Sequence, residues 1–326
     1  MREALRDEQD VAGTCKATGR SPSPNFVASD MFVENAFQRR FQALLRRCLE
    51  ERAWRVTSAI LGGGKTRGIV DLAAQYEGVK AASGRTRKRV LAVTAPKNGG
   101  PESALSIPLA SAFGIVPSMP AGRLKTWLVG ELVRCEVELL IVDDAHDIST
   151  THLALLKELT DRLDLDHGRK VGLCLVCASA KGEVPLQSQL QQSGFFWEQL
   201  RRRLAIETRY SFVPNHTADE VREICAGYQA IYLPQFPDLD LIRWSTAIFT
   251  YLTHPLVDTH GTGRVTMDNF VKLVNLALAT AHARGLTNLD DRSLHAAAEV
   301  QTLKGDAVAV LDGEPSSWSD VPVVLE

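Results

Sequence analysis

The sequence lacks any long apolar run. No stretch of its 326 residues reaches the roughly 18 consecutive apolar residues that cross a bilayer. The first residues, MREALRDEQD, also lack the apolar core of a signal peptide. We therefore expect a cytoplasmic protein with no membrane partner.

An excess of charge of one sign is also absent. Thirty-seven Lys and Arg residues stand against 39 Asp and Glu residues, a formal net charge of -2. This balance excludes a uniformly basic surface for nonspecific nucleic-acid binding, so any contact with DNA must come from a local patch. The 45% hydrophobic content is that of a globular chain, and the length allows one large α/β domain and a smaller second one.

Cysteines are few and scattered. The six thiols lie mostly among apolar neighbours, which is typical of reduced, buried cysteines rather than of a disulfide framework. Cys174 and Cys177 have the C-x-x-C spacing but lie within the apolar run VGLCLVCAS, without a second ligand pair at zinc spacing. Residues three apart on a strand point to opposite faces, so we predict no metal site there.

Short apolar runs alternate with amphipathic stretches from Trp54 onward, a pattern typical of βαβ units and a largely parallel sheet. The predicted strands are 54–58, 89–95, 137–144, 171–179 and 205–213. After Pro214 the strand signal ends, and Thr217 with Glu220 predicts a capping box that opens the first C-terminal helix. Further helices are predicted over 237–253, 266–284 and 290–303.

Before the first strand, a helix is predicted within residues 29–52. Its apolar residues recur at helical spacing, while four arginines fall on the remaining faces. We interpret Arg39, Arg40, Arg46 and Arg47 as a solvated helix face rather than a phosphate-contacting surface.

The segment AILGGGKT, residues 59–66, follows a predicted strand and opens a predicted helix, as a phosphate-binding loop does. Glycine backbone N–H groups and the helix N-terminus form an anion site there, which predicts nucleotide contacts from Gly62, Gly63 and Gly64. Lys65 reaches the β- and γ-phosphates, and the Thr66 hydroxyl binds Mg²⁺. Ala59 stands where the pattern has glycine, so we expect a less tightly turned loop. The alternative is a glycine-rich β-turn.

Two carboxylates follow the apolar run at 139–142. The carboxyl ends of strands in open α/β sheets are where ligands bind. We therefore predict that Asp143 holds Mg²⁺ through water and that Asp144 orients or deprotonates the attacking water. The usual second residue is Glu, one methylene longer, so slow hydrolysis is expected. The alternative is a helix N-cap with two solvated aspartates.

Together these motifs resemble the AAA+ ATPases of transposition, of the TnsC and TniB type, within the wider group of IstB-like and ExeA-like proteins. The resemblance extends from about Asn25 to Ala298 and includes the opening FVASDMFVENAFQRRFQALL, the segment VTAPKNGGPESALSIPLASAFG and the Asp-Asp-Ala-His sequence that begins at Asp143. It continues through THLALLKELTDRL into the strand VGLCLVCAS.

The resemblance implies an α/β AAA+ P-loop NTPase fold with a five-stranded, mainly parallel sheet and a small C-terminal α-helical lid. We divide the chain into a flexible N-terminal segment (1–28), the AAA+ α/β nucleotide-binding domain (29–213), the lid (214–304) and an acidic tail (305–326). ATP and Mg²⁺ are the implied cofactors. The implied partners are duplex DNA, further copies of the chain in a ring or helical filament, and a transposase with a target-selection protein, in a nucleoid-associated setting.

Residue roles follow from the same resemblance. Ser179, at the end of the fourth strand, takes the place of the polar sensor of the γ-phosphate. Arg203, with Arg202 second, takes the place of the arginine finger supplied to a neighbouring subunit. The alternative for these arginines is a solvated helix end. Arg264 lies where the family keeps its sensor 2 region, and a helix-entry turn is the alternative there.

Candidate DNA contacts are Lys97, near the end of the second predicted strand, with Arg123 and Lys125. The second strand ends on the face that lines the central opening of the oligomer in the resembling proteins. Ordinary exposed basic residues are the alternative interpretation. The leading functional hypothesis is thus an ATPase that assembles on duplex DNA and recruits or activates a transposase. The alternatives are a nucleotide-gated DNA-binding scaffold with little hydrolysis and a helicase-loader-like AAA+ ATPase; a small-molecule kinase is less favoured.

Overall fold

The computed structural model describes residues 26, 28, 33–97, 99–114, 119–179, 184–206, 216–259 and 261–303. In chain order these residues form α1 (Ala36–Glu51), β1 (Trp54–Ile60), α2 (Lys65–Gln75), β2 (Glu77–Lys80), β3 (Thr86–Lys88), β4 (Val90–Thr94), α3 (Ser103–Ser111), α4 (Ala121–Arg134), β5 (Leu139–Asp143), α5 (Thr150–His167), β6 (Gly172–Ser179), α6 (Gln187–Leu190), α7 (Phe195–Arg203), β7 (Leu204–Ile206), α8 (Ala218–Tyr232), α9 (Ser245–Leu252), α10 (Met267–Ala283) and α11 (Asp291–Leu303).

Five strands form one parallel sheet in the order β4-β5-β6-β1-β7. The register places Ile60 opposite Ser179 and Thr94 opposite Asp143. Because all strands run in the same direction, these four residues lie at the same, carboxyl edge of the sheet. The sheet therefore brings together segments that are distant in sequence, at the edge where ligands bind in α/β folds.

Helices cover both faces of this sheet. β5 and β6 are buried along their whole length, as expected of central strands between two helical layers. Side chains of α1 and α2 form the core on one face together with Cys174, whereas Cys177 belongs to the core on the other face, with side chains of α3, α4 and α5. The prediction that these two cysteines point to opposite faces is confirmed.

The first helix begins at an N-cap, where the Asn35 side chain accepts a hydrogen bond from the amide of Gln38. The rings of Phe37 and Phe41 stack with centroids 5.5 Å apart against α2 and the sheet. Each of its four arginines contacts a polar or acidic side chain of the same chain. The pairs are Arg39 with Glu223, Arg40 with Glu220, Arg46 with Gln42 and Gln75, and Arg47 with Glu51.

A two-stranded antiparallel hairpin, β2 and β3, was not predicted from the sequence. The apolar alternation of a half-buried strand is missing here, and an ion pair of 2.5 Å between Lys88 and Glu77 joins the two strands instead. Helix α2 ends at Gln75, before the hairpin begins, and Gly78 within β2 has a φ of +113°, which is outside the helical range.

The four C-terminal helices, α8 to α11, form a separate hydrophobic core; we call these helices the lid. Thr217 and Glu220 make both hydrogen bonds of the predicted capping box at the start of α8. The helix predicted over 237–253 is shorter in the structure, since residues before Ser245 form turns and the amides of Leu241 and Ile242 donate to the Gln229 side chain.

Phe26, within the N-terminal segment predicted to be flexible, packs against the lid. Its ring stacks on Tyr232 at 5.8 Å between centroids and contacts Phe236 edge-on. The rest of that segment, apart from residue 28, lies outside the described residues, as do the acidic tail 305–326 and most of the predicted strand 205–213.

Among the described residues, five cysteines are buried free thiols; Cys15 is outside them. No group of three or more His, Cys, Asp or Glu side chains in this part of the chain is arranged to hold a metal ion. Within the same residues, no helix is both long enough and apolar enough to cross a membrane. The α/β class with a five-stranded parallel sheet and C-terminal helices is confirmed.

Candidate nucleotide site

The glycine-rich loop turns between β1 and α2. Gly62 and Gly64 have φ angles of +73° and +85°, which a residue with a Cβ rarely adopts. A Cβ at Gly64 would also lie 2.8 Å from the side-chain nitrogen of Gln38, which donates to the Gly64 carbonyl at 2.8 Å. Gly63 lies between them and is buried. The loop therefore needs glycine at positions 62 and 64.

Ala59 is not part of the turn. It is fully buried in β1 and pairs with Ala178 of β6, so its backbone is that of a strand. The expectation that its Cβ would loosen the loop is wrong, because the left-handed conformations occur three and five residues later. Ala59 also does not line the cavity described below. It lies in the sheet that supports the loop, and a nucleotide contact at this position stays a prediction.

The Lys65 side chain lies inside the curve of the loop and is only 6% exposed. Its ammonium donates to the Ile60 carbonyl at 3.2 Å and makes no ion pair with any described residue. Burial lowers the pKa of Lys65, while the carboxylates of Asp143 and Asp144 act in the opposite direction. A desolvated cation with no carboxylate in contact is well placed to bind an incoming phosphate.

The Thr66 hydroxyl donates to Asp143 Oδ2 at 2.5 Å, which joins the start of α2 to the end of β5. The other carboxylate oxygen, Oδ1, accepts from the Asp144 amide at 2.9 Å. A hydroxyl and a carboxylate are hard oxygen donors of the kind that Mg²⁺ prefers, and Mg²⁺ usually takes few protein ligands together with phosphate oxygens and water. The pair predicted to hold Mg²⁺ is thus brought together.

Asp144 adopts a left-handed conformation with φ of +52° immediately after the strand. It precedes a short 3₁₀ turn, Ala145–Asp147, and its side chain makes no capping hydrogen bond. Asp143 is 4% exposed. The alternative of an N-cap with two solvated aspartates therefore does not hold. His146 accepts from the Ala178 amide at 3.3 Å, a structural contact between the turn and β6.

A cavity of about 520 Å³ opens beside the loop, between the α/β layer and the lid. Its size falls within the range of small-molecule and cofactor sites. Residues from four parts of the chain line it: Val33, Asn35 and Gln38 around the start of α1, Gly62, Gly64, Lys65, Thr66 and Arg67 of the loop and α2, Tyr228 of α8, and Met267, Asp268 and Val271 of α10.

The lid touches the loop directly. The Asp268 amide, in the first turn of α10, donates to the Gly62 carbonyl at 3.1 Å. A Cβ at Gly62 would lie 3.3 Å from Asp268 Cβ and 3.5 Å from Thr266 Cβ. A change in loop conformation must therefore move the start of α10.

An adjoining cavity of about 270 Å³ lies on the other side of Gly62. Arg264 lines it, together with Leu61 and Thr266, so this arginine of the lid lies close to the loop but not in the lining of the larger cavity, and its contact with nucleotide stays a prediction. Ser179, 7% exposed, pairs in register with Ile60 at the base of the loop. Both predicted residues are thus near the phosphate loop.

The three arginines at the end of α7 lie at the opposite, amino edge of the sheet, since Leu204 pairs with Trp54. Arg201 donates to the Leu190 and Gln192 carbonyls at 2.7 Å each. Arg203 pairs with Asp161, and its guanidinium lies 5.4 Å from the Trp54 ring centroid. Arg202 is exposed and has no ion-pair partner in the described part of the chain. None of the three reaches this chain's own loop, and a role in a neighbouring subunit stays a prediction.

The three candidate DNA contacts differ in whether an acidic side chain of the same chain already pairs with them. Lys125 is held between Glu102 at 2.8 Å and Glu158 at 2.6 Å, and these contacts raise its pKa. Lys97 and Arg123 are exposed, and neither pairs with an acid among the described residues. Two of the three cations are therefore available to a ligand.

The outer wall of the cavity was not predicted from the sequence. Gln38 was treated only as part of an amphipathic helix, yet it is 2% exposed and holds the Gly64 carbonyl. A polar residue on the apolar face of a predicted helix is a signal that would have found it. Tyr228, Met267 and Val271 carry no comparable signal, because only the packing of the lid brings them to the loop.

Comparison with known proteins identifies the fold. Residues 56–180 match the family model described as AAA domain. The chain is similar to the ORC2 protein of Aeropyrum pernix in its ADPNP–ADP complexes, with a TM-score of 0.58, 15% identity, and coverage of 84% of this chain and 70% of that chain. The ADP form of the same protein gives a TM-score of 0.56, again at 15% identity with 84% and 70% coverage.

The Cdc6p protein of Pyrobaculum aerophilum is also similar, with a TM-score of 0.55, 13% identity, and coverage of 86% of this chain and 69% of that chain. No curated protein matches the sequence significantly. At these identities the likeness concerns the fold alone. The fold is that of AAA+ P-loop proteins, and the phosphate loop, β5 and β6 lie within the matched AAA domain.

Proposed function

We propose that this protein binds ATP with Mg²⁺ in the cavity beside the glycine loop and hydrolyses it slowly. In this proposal Gly62, Gly63, Gly64 and Lys65 hold the phosphates, and Thr66 with Asp143 holds the metal. Asp144 orients the attacking water, and Ser179 and Arg264 sense the γ-phosphate. The observation that carries the proposal is the buried, unpaired Lys65 beside the Thr66–Asp143 contact, at the mouth of a cavity of nucleotide size.

Hydrolysis is coupled to assembly in this proposal. Copies of the chain form a ring or helical filament on duplex DNA, with Arg202 or Arg203 reaching the nucleotide of the next subunit. A guanidinium supplied from a neighbour stabilises charge on the phosphate oxygens and makes turnover depend on assembly. ATP must favour the assembled state over the free subunit, or it would not control assembly.

DNA contact is assigned to Lys97 and Arg123, with Lys125 contributing less because Glu102 and Glu158 hold it. One protomer with a net charge of -2 binds DNA weakly. Repeated backbone contacts from many subunits add up to a useful affinity. The proposed outcome of assembly is recruitment or activation of a transposase, which rests on the resemblance of the motifs to TnsC and TniB proteins.

The test combines nucleotide binding, turnover and imaging. Wild-type protein should bind a fluorescent ATP analogue, form regular assemblies on duplex DNA with a non-hydrolysable analogue, and release phosphate faster when DNA is added. Asp144→Asn should bind nucleotide and assemble but lose DNA-stimulated turnover. Persistent monomers in the presence of both nucleotide and DNA would refute the assembly model. Stimulation by a replicative helicase but not by DNA would favour a helicase-loading role instead.

A nucleotide-gated scaffold with little hydrolysis is the second candidate. It is favoured by Asp144, whose carboxylate is one methylene shorter than the usual Glu and whose backbone is left-handed. Asp144→Glu separates the two. Faster DNA-stimulated turnover in Asp144→Glu would identify an enzyme in which the Asp144 carboxylate is too short to position the attacking water well. Equal and negligible turnover in wild type and variant, with normal assembly, would identify a scaffold.

A further inference from the structure

We propose that the lid carries a second anion site, for a phosphate group, between α8 and the start of α9. A cavity of about 230 Å³ opens there, and its lining shares no residue with the cavity beside the glycine loop. The lining residues are Arg222, Asp240, Ile242, Arg243, Ser245 and Thr246.

Two guanidinium groups line this small cavity. Arg222 lies on α8 and Arg243 on the turn before α9, and both residues are exposed. Neither makes an ion pair with an acid in the described part of the chain. Arginine presents several N–H donors in a planar fork that matches phosphate oxygens. Here two elements of the lid each supply to the cavity lining one arginine that has no acidic partner among the described residues.

A serine hydroxyl belongs to the lining as well. Ser245 is 7% exposed, lines the cavity, and makes no side-chain hydrogen bond with any described residue. Its hydroxyl is therefore available as a donor to a ligand in the cavity.

Helix α9 contributes a third element. It begins at Ser245 after Trp244, an N-cap residue whose side chain makes no capping hydrogen bond. The Ser245 amide donates to the Ile242 carbonyl at 3.1 Å. The N–H groups that follow at the start of a helix have no partner within the helix, and the macrodipole adds partial positive charge at this end. Ser245 and Thr246, the first two residues of α9, both line the cavity.

One carboxylate lies at the same cavity. Asp240 Oδ1 accepts from the Arg243 amide at 3.2 Å and so holds the turn that carries this arginine. Gln229 of α8 fixes the same turn through hydrogen bonds from the Leu241 and Ile242 amides at 2.8 and 3.3 Å. The site is thus preorganised by protein contacts, and two guanidinium groups outweigh one carboxylate.

The ligand is a single phosphate group rather than a whole nucleotide, since this volume is below the usual range for cofactor cavities. A backbone phosphodiester of DNA and a free phosphate ion share this chemistry. The proposal needs neither ATP binding nor hydrolysis at the glycine loop, so it stands or fails separately from the proposed function.

Titration of ¹⁵N-labelled full-length protein with inorganic phosphate, followed by amide NMR, tests the site. The amides of Thr246 and Ala247 should shift in a saturable way, with chloride at matched ionic strength producing no such shift. The amides of residues 62–66 report any binding at the glycine loop in the same spectra. No saturable change at Thr246 and Ala247 would overturn the proposal.

Two variants give opposite expectations. The double substitution Arg222→Ala with Arg243→Ala should weaken phosphate binding at this site at least tenfold. Asp240→Asn keeps the acceptor for the Arg243 amide, removes a repelling charge and should tighten binding about threefold. Arg292→Ala, which removes an exposed arginine elsewhere in the lid, is the matched control and should change nothing. Equal affinities in all four proteins would overturn the site.

A duplex of about 20 base pairs distinguishes the two sources of phosphate. Shifts of the Thr246 and Ala247 amides with duplex, lost in the double arginine variant, identify the DNA backbone as the ligand. Shifts with inorganic phosphate but not with duplex retain the site and identify a free phosphate. Absence of DNA binding by the whole protein would count against the proposed function and leave this anion site intact.

Discussion

At the carboxyl edge of the central sheet, Lys65 is buried and donates only to a backbone carbonyl, whereas at the amino edge Glu138 accepts hydrogen bonds from Arg52 and Arg89. The pKa shifts follow this difference. Burial lowers the pKa of Lys65, while the hydrogen bond with Glu138 raises that of Arg89. Arginines at the amino edge are stabilised by carboxylates of the same chain, whereas Lys65 at the carboxyl edge contacts no carboxylate of a described residue and is the cation that the proposed function assigns to a phosphate.

Arg202 is an exception at the amino edge. Its two neighbours are held by backbone carbonyls or by Asp161, but Arg202 has no ion-pair partner among the described residues. The comparison of the two edges therefore points to Arg202, rather than Arg203, as the side chain that is available to a neighbouring subunit.

The largest expected effect is that of Lys65→Ala. It should abolish ATP hydrolysis and weaken ATP binding about a hundredfold, because a charge-assisted contact to two phosphates is lost. The free energy of unfolding should stay the same or increase, since a desolvated charge is removed. Fluorescent-nucleotide titration and urea denaturation measure the two quantities. Lys170→Ala, at an exposed lysine, is the control, and unchanged ATP affinity in Lys65→Ala would contradict the site.

Arg202→Ala should lower assembly-dependent turnover at least a hundredfold, because an arginine finger stabilises the transition state of phosphoryl transfer. Its stability should not change. Arg203→Ala should instead lose about 1 kcal/mol of stability with the Asp161 pair and the Trp54 contact. Phosphate release at saturating DNA, together with urea denaturation, checks both variants. If Arg203→Ala lowered turnover instead and Arg202→Ala did not, Arg203 would be the side chain that leaves Asp161 on assembly.

Glu138→Gln should destabilise the fold by about 2 kcal/mol, because it leaves partly buried arginines without their carboxylate. Burial acts to raise the pKa of Glu138, but Arg89, Arg52 and Arg87 outweigh it and lower the pKa. This stabilisation is present above the unfolded-state pKa of about 4.3 and is lost as the pH falls through the folded-state value.

Urea denaturation at pH 7 measures the loss in Glu138→Gln, and ATP affinity should stay unchanged. Glu77→Gln removes a more exposed carboxylate that pairs with Lys88, and it should cost no more than about 0.5 kcal/mol. Equal losses in the two variants would contradict the view that the amino edge is a stabilising cluster.

The smallest effect concerns His216, which is 1% exposed at the start of the lid. Burial lowers its pKa, while Glu220 and Glu223 act to raise it and Arg40 to lower it. The unfolded chain therefore binds the proton more readily, and stability should decrease as the pH falls below about 6.5 towards the folded-state pKa. The slope for one proton is at most about 1.4 kcal/mol per pH unit. Unfolding of His216→Gln between pH 7.5 and 5.5 should show a shallower decrease.

The phosphate loop and the acidic pair were predictable because their chemistry is local. Glycine conformations, a helix start and a strand end are properties of a few adjacent residues, and the parallel sheet then brings Thr66 to Asp143. The β2–β3 hairpin was not predictable, since its strands are short and lack apolar alternation, and an ion pair between Lys88 and Glu77 joins them. The shortened helix before Ser245 depends on Gln229, which lies in another helix.

By itself, the sequence determined the α/β class, the loop at 59–66, the carboxylates at 143 and 144 and the capping box at Thr217. The tertiary structure alone decided that Ala59 supports the loop from within a strand, that Gln38 and Asp268 hold it from two sides, and which arginines are paired. Backbone conformation and periodicity are encoded by neighbouring residues, whereas the pairing of a charge or the lining of a cavity depends on which distant side chains the fold brings within a few ångströms.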